Sequence, residues 1–201
     1  MKIVFVRHGH PDYENDCLTE LGHREADACG EKLLDYGISA VYASPLGRAV
    51  QTAEHFAEKA GLPIRILEFM REIEGGPVLN GNLPEPEELS AEFFEDYARV
   101  TEGFDNWMKE LGYQRQGRHY RCTAPNEETI ALFSHAIAGK SVLSHVMGMP
   151  PNMGVGYFRV SHTGITIVEW KGEVGDIMIP SIRTVNDHSH LVGMVPAEKA
   201  I

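Results

Sequence analysis

Short apolar runs alternate with amphipathic segments along the first half of the chain. Ile3-Val4-Phe5-Val6 is apolar without a break and rich in β-branched residues, as expected of a strand buried on both faces. Thr19 then stands as N-cap of a helix predicted to run to about Tyr36, with Ala26, Cys29 and Leu33 on one face and Gly37 as its stop. Ala40-Val41-Tyr42-Ala43 predicts a second buried strand. Ser44-Pro45 supplies N-cap and first turn of a helix whose face is Leu46, Ala49, Val50, Ala53 and Phe56. Strand, helix, strand, helix predicts an α/β sandwich, three layers deep, with a mostly parallel central sheet and right-handed crossovers.

Glycines and prolines between 75 and 86 interrupt this rhythm. Beyond them Leu89, Phe93, Tyr97, Val100, Phe104, Trp107 and Leu111 recur at helical spacing up to Gly112. Residues 75–126 therefore read as a helical cap inserted into a single domain spanning 1–201, with a linker near Gln114 to Asn126. Thr129 to Phe133 returns to a buried strand, followed by a helix from about Ala136 to Met147 that Gly148, Pro150 and Pro151 stop. Tyr157-Phe158-Arg159-Val160, Gly164 and Ile165 to Trp170 predict a hairpin.

Composition narrows the possible partners. Eighteen Lys and Arg against 29 Asp and Glu give a net charge of −11 over 201 residues, 43% of them hydrophobic. That balance argues against nucleic acid or an anionic membrane as partner, both of which need a basic footprint. A small anionic substrate is still compatible, because nine acidic residues sit between Pro84 and Leu111 against only Arg99 and Lys109. No apolar run is long enough for a membrane span or a secretory segment. Cys17, Cys29 and Cys122 are odd in number and form no CxxC pair, which predicts a reduced, cytoplasmic setting.

Candidate chemistry falls at strand-to-helix junctions, where α/β sheets bind ligands. Arg7-His8-Gly9 follows the first strand: a histidine there can attack phosphorus, an arginine can hold phosphoryl oxygens, and a glycine admits close backbone approach. Arg48 lies in the first turn of the second helix, where guanidinium and helix terminus both favour an anion. Ser134-His135 sits at a third junction, and a protonated imidazole there would stabilise a transferring phosphoryl group. Glu72, in Arg71-Glu72-Ile73, could protonate a leaving oxygen.

Taken together, Arg7-His8-Gly9, Leu18-Thr19-Glu20-Leu21-Gly22, Ser44 to Ala53, Arg71-Glu72, Ser134-His135 and Asn186 to Leu191 resemble the histidine phosphatase (phosphoglycerate mutase-like) superfamily, in order and over almost the whole chain. The resemblance implies a three-layer α/β fold, no metal and no cofactor. It makes His8 the phosphorylated nucleophile, completes the phosphate pocket with Arg7, Arg48 and His135, and makes Glu72 the proton donor. Gly9, Thr19 and Ala136 are expected to border the substrate. Three positions depart from the family pattern: His10 replaces an acidic or small polar residue, Glu14 stands where an asparagine is common, and Ala136 replaces a frequent glycine.

The function expected is hydrolysis of a small phosphorylated metabolite. Two alternatives are a mutase using the same site, which 201 residues disfavours because mutases of this type carry a larger insertion, and a non-catalytic phospho-ligand-binding domain, for which Glu72 would have no use. His8, His10 and His135 could also serve as metal ligands, but no carboxylate follows a strand to complete such a set. His23, His55, His119, His145 and His162 are scattered and carry no assigned role, and His188 and His190 are read as satisfying local backbone. The segment Arg115 to Arg121 carries three arginines that suit a second anionic group, or else a solvated linker.

Overall fold

The computed structural model describes residues 1–74, 76, 83 and 85–194. Its elements are β1 (Lys2–Arg7), β2 (Pro11–Asp12), β3 (Cys17–Leu18), α1 (Glu20–Leu33), β4 (Ala40–Ala43), α2 (Gly47–Ala60), β5 (Ile64–Ile66), α3 (Ala91–Glu110), β6 (Tyr113–Gln116), β7 (His119–Cys122), β8 (Thr129–Ser134), α4 (Ala136–Met147), α5 (Pro151–Tyr157), β9 (Ile165–Glu169), β10 (Ile177–Met178) and β11 (Ser181–Asp187). A six-stranded sheet in the order β11-β9-β1-β8-β4-β5 forms the centre. The β1, β8, β4 and β5 strands pair in parallel, whereas β9 runs antiparallel to both β1 and β11.

The strands' period of two divides the core. Ile3 and Phe5 of β1, Ile130 and Leu132 of β8 and Ala40 of β4 face one cluster with Val100, Phe104 and Met108 of α3 and Val142 and Val146 of α4. Val4 and Val6, Ala131 and Phe133, and Val41 and Ala43 face the other, with Cys29 and Leu33 of α1 and Ala53 and Phe56 of α2. The uninterrupted apolar runs are thus strands covered on both faces, and the three-layer sandwich is the fold expected. No helix among the described residues is long and apolar enough to cross a membrane.

Local structure departs from expectation in three places. The second helix begins at Gly47 with Leu46 as N-cap, not at Ser44-Pro45, because the Ser44 hydroxyl is turned to His135. The segment expected as a linker, 114–126, carries the β6–β7 hairpin, with β10 paired on its edge. Tyr157 to Val160 is not a strand: Tyr157 ends the short helix α5 that Pro150 and Pro151 start, Phe158 to Val160 follow it as irregular chain, and β9 pairs instead with β1 and β11. Helix α3, central to the expected insertion, shares its core with the sheet residues Phe5, Ile130 and Leu132. Positions 75, 77–82 and 84 of that insertion lie outside the described residues.

Candidate active site

Arg7 pairs with Ser134, and Ala43 with Phe133, so the loops leaving β1, β4 and β8 emerge along one edge of the sheet. His8 is the first residue beyond β1 and is 1% exposed. Its Nδ1 lies 2.8 Å from the Gly9 carbonyl oxygen. A carbonyl can only accept, so Nδ1 carries the ring proton and Nε2 presents its lone pair. Burial first, and then the charges of Arg7 and Arg48, push the His8 pKa down to about 3, against the opposing hydrogen bond to Gly9. The imidazole is therefore a neutral base at physiological pH.

Two guanidinium groups accompany it. Arg7 donates from Nη1 to the Val160 carbonyl at 2.7 Å, and burial lowers its pKa below the ordinary arginine range. Arg48, in the first turn of α2, pairs with Asp16, whose other carboxylate oxygen accepts the Gly47 N–H at 2.7 Å. Tyr13 sits beneath the Arg48 guanidinium, 5.3 Å from ring centroid to Cζ. Arg7 Nε and Arg48 Nε are both buried without a hydrogen-bond partner among the described residues.

His135 caps α4, and its ring centroid lies 5.2 Å from that of His8. Ser44 Oγ is 2.6 Å from His135 Nε2 and also accepts the Leu46 N–H. The hydroxyl proton can then go to Nε2, which leaves the ring proton on His135 Nδ1, a buried atom without a partner among the described residues. Burial, followed by competition with the adjacent His8 ring for a proton and repulsion from Arg48, holds the His135 pKa well below the ordinary imidazole value. The protonated His135 expected from sequence is thus a neutral N–H donor in the free site.

Glu72 reaches the same helix terminus. Its Oε1 accepts N–H bonds from Ala138 at 2.9 Å and Ile73 at 3.0 Å, and Oε2 accepts from Ile137 at 3.3 Å. Burial raises its pKa, opposed by these amides and by Arg7. The Ala136 N–H is the first-turn amide of α4 that Glu72 does not take.

Gly9 and Thr19 serve the frame more directly than the ligand. A Cβ on Gly9 would meet the Gly22 carbonyl oxygen at 2.6 Å, so the glycine is required by the approach of α1. Thr19 Oγ1 accepts the Gly22 N–H at 3.1 Å as N-cap of α1, bonds the His10 carbonyl at 3.2 Å and lies 3.0 Å from His10 Nδ1. Its hydroxyl is engaged in the frame, as the N-cap expected at this position. The Gly9 N–H is held by Thr52 Oγ1 and the His10 N–H by buried Glu25. A Cβ on Gly22 would stand 2.2 Å from the His10 oxygen. Gly22→Ala should therefore destabilise by about 1–3 kcal/mol through overpacking, although helix propensity alone favours alanine by ~1 kcal/mol. A fall in melting temperature with a parallel fall in kcat checks this, and a stabilised variant would contradict it.

His162 is the functional candidate that sequence reading left without a role. Because β9 is antiparallel to β1, with Val6 opposite Ile165, the residues entering β9 flank those leaving β1. His162 lies 5.8 Å from His8 and 5.4 Å from His10 between ring centroids, and its Nε2 is buried with no partner among the described residues. Burial and the Arg7 charge lower its pKa to about 3. Its loop is clamped by Asn186, whose Oδ1 accepts the Ser161 N–H at 2.7 Å. Among the described residues no three His, Cys, Asp or Glu side chains converge as a metal-ligand set.

A family model described as the histidine phosphatase superfamily, branch 1, matches residues 3–179. A relative from Erwinia tasmaniensis, named "Probable phosphoglycerate mutase GpmB", is 27% identical over 169 residues, covering 76% of this chain and 77% of its own. The phosphoserine phosphatase of Entamoeba histolytica, solved with 3-phosphoglyceric acid, superposes with a TM-score of 0.72 at 22% identity, over 94% of this chain and 98% of that one. The alpha-ribazole phosphatase of Shigella flexneri gives 0.69 at 18% identity, over 94% and 97%. At these identities the solved structures establish the fold alone.

Proposed function

The chain belongs to the histidine phosphatase superfamily, branch 1, and from that premise we propose that it is a metal-independent phosphomonoesterase acting on a small phosphorylated metabolite through a phosphohistidine at His8. The observation that carries this reading is the hydrogen bond from His8 Nδ1 to the Gly9 carbonyl, which commits the ring proton and frees Nε2 to attack. In the first step the His8 Nε2–P bond forms as the ester P–O bond breaks, and the departing alkoxide takes the Glu72 proton. In the second, water attacks phosphorus, the N–P bond breaks and the Glu72 carboxylate takes the water's proton. Arg7, Arg48, the His135 Nδ1–H and the His162 ring surround the phosphoryl oxygens, with the Ala136 N–H beside them.

Hydrolysis of p-nitrophenyl phosphate, measured with and without chelator, tests the reading. Equal rates in both are expected, and loss of activity with chelator would overturn the metal-free step. The pH profile gives a second check. His8 acts as its neutral form, and its pKa is lowered from 6.5 to about 3. Once substrate ionisation is factored out, the acid limb of kcat/KM should therefore lie near 3, with little loss between pH 7 and about 5. A limb close to 6.5 would contradict the buried, neutral nucleophile.

The alternative with a specific observation behind it is phosphoglycerate mutase-type transfer, since the Erwinia relative carries a mutase name. That alignment covers nearly equal shares of both chains, so the two are of similar length and chain length does not discriminate between the activities. Transfer of the phosphoryl group to a phosphoglycerate, in preference to water, would favour it. A protein of net charge −11 suits a small phosphorylated partner in a cytoplasmic setting better than nucleic acid or membrane.

A further inference from the structure

The arginine-rich segment 115–121 does not reach the active-site edge of the sheet. Arg115 donates to the His145 carbonyl at 2.6 Å and to Tyr120 Oη at 3.0 Å, with Asp105 beside it. His145 is in the last turn of α4 while His135 caps its first, a separation of about 15 Å along the helix. A second anionic group on the substrate would need cations elsewhere, and α4 supplies one.

Lys140 lies on α4 just past the first-turn amides that hold Glu72. Its Nζ donates to the Val155 carbonyl at 3.2 Å, and no carboxylate pairs with it among the described residues. Helix α5 holds that carbonyl in place by packing hard onto α4, where a Cβ on Gly154 would collide with Ser144 Oγ. The charged groups that act on Lys140 are Arg7, Arg159 and Glu72. Arg159 adjoins Val160, whose carbonyl holds Arg7, and Val160, Arg7, His135 and Gly139 line one small cavity. Burial, then repulsion from Arg7 and Arg159, lowers the Lys140 pKa. Arg7 and Lys140 are partly buried cations without carboxylate partners among the described residues, with the exposed Arg159 beside them, and an anion placed among them would relieve their repulsion.

We propose that Lys140 and Arg159 form a second anion subsite beside the phosphate pocket, so that the preferred substrates are phosphomonoesters bearing a further carboxylate or phosphate group. This rests on the phosphomonoesterase reading above. The test compares kcat/KM within matched pairs on the full chain: O-phosphoserine against phosphoethanolamine, which lacks the carboxylate, and propane-1,3-diyl bisphosphate against propyl phosphate.

The wild type is expected to favour the more anionic member of at least one pair by about tenfold or more, the size of one charged hydrogen bond. The Lys140→Met/Arg159→Met variant, with Lys140→Gln as a milder companion, should bring that ratio close to one. The ratio is independent of the fraction of active enzyme, so partial misfolding does not obscure it. A response in the first pair identifies a carboxylate and in the second a phosphate, and either supports the subsite. Ratios near one in the wild type, or unchanged in the variants, overturn it while hydrolysis of p-nitrophenyl phosphate stands. Hydrolysis of p-nitrophenyl phosphate with none of these four esters turned over likewise overturns the subsite alone, whereas failure on p-nitrophenyl phosphate as well brings down both readings.

Discussion

His8→Ala is expected to lower kcat for p-nitrophenyl phosphate by roughly 10⁴-fold or more, because the two-step route loses the atom that accepts the phosphoryl group. The fold should survive. His8 follows β1, and its main chain is held by the N–H bond to the Ser134 carbonyl at 2.9 Å, which alanine retains. The imidazole itself is buried beside Arg7 and Arg48 without a carboxylate partner, an arrangement that serves function at the expense of stability. The melting temperature should accordingly fall little or even rise. Alkaline quenching of the wild type during turnover of a labelled ester should trap a phosphoprotein, and the variant should trap none. Undiminished hydrolysis by the variant, or a labelled variant, would remove His8 from the role of nucleophile.

Much of the architecture was legible because its signals are local. Strands buried on both faces must be apolar at every position, and Ile3 to Val6 and Thr129 to Phe133 show that directly. Thr19 and Gly148 marked helix ends through capping chemistry that needs no tertiary partner, and Gly148 does adopt a positive φ as C-cap of α4. Ser44-Pro45 carried an equally strong local signal and misled. Its hydroxyl is recruited by His135, and the helix begins three residues later than Ser44. Local propensity and site chemistry competed for one side chain, and the site won.

The histidines divide along the same line. His8 and His135 could be found because each follows a strand in the parallel half of the sheet, where sequence order and sheet edge coincide. His162 could not, since it precedes its strand. It reaches the same edge only because β9 is antiparallel to β1, and that pairing is a long-range property. Asp16 escaped for a similar reason: its ion pair with Arg48 spans 32 residues, and the loop that brings it there uses a positive φ of 48° at a non-glycine position. In a mixed sheet, the residues entering an antiparallel strand share an edge with those leaving its parallel neighbours. The order of residues along the chain does not reveal which strands those are.

Glu72→Gln separates the two chemical steps. The carboxyl group is buried, and burial raises its pKa, so that its acid form persists to higher pH than an exposed glutamate's; three amide N–H bonds and Arg7 favour the carboxylate and keep the base form accessible. A residue that must donate a proton and then accept one needs both forms within reach. With an alkyl phosphate the leaving alkoxide is strongly basic, and the variant should lose about 10²–10⁴-fold in kcat. Nitrophenolate departs without a proton, so p-nitrophenyl phosphate should still phosphorylate His8 at a rate close to that of the wild type. Water must nonetheless lose a proton to attack the phosphohistidine, and that step has lost its base. The variant should therefore release a burst of nitrophenolate equal to the enzyme present, followed by slow turnover, with phosphoenzyme accumulating. Glu68→Gln and Glu74→Gln, both at exposed side chains, should behave as the wild type in the same assay. Equal losses on alkyl and aryl esters with no burst would show that Glu72 does not transfer the proton, and a burst in Glu74→Gln would move the role two residues along the chain.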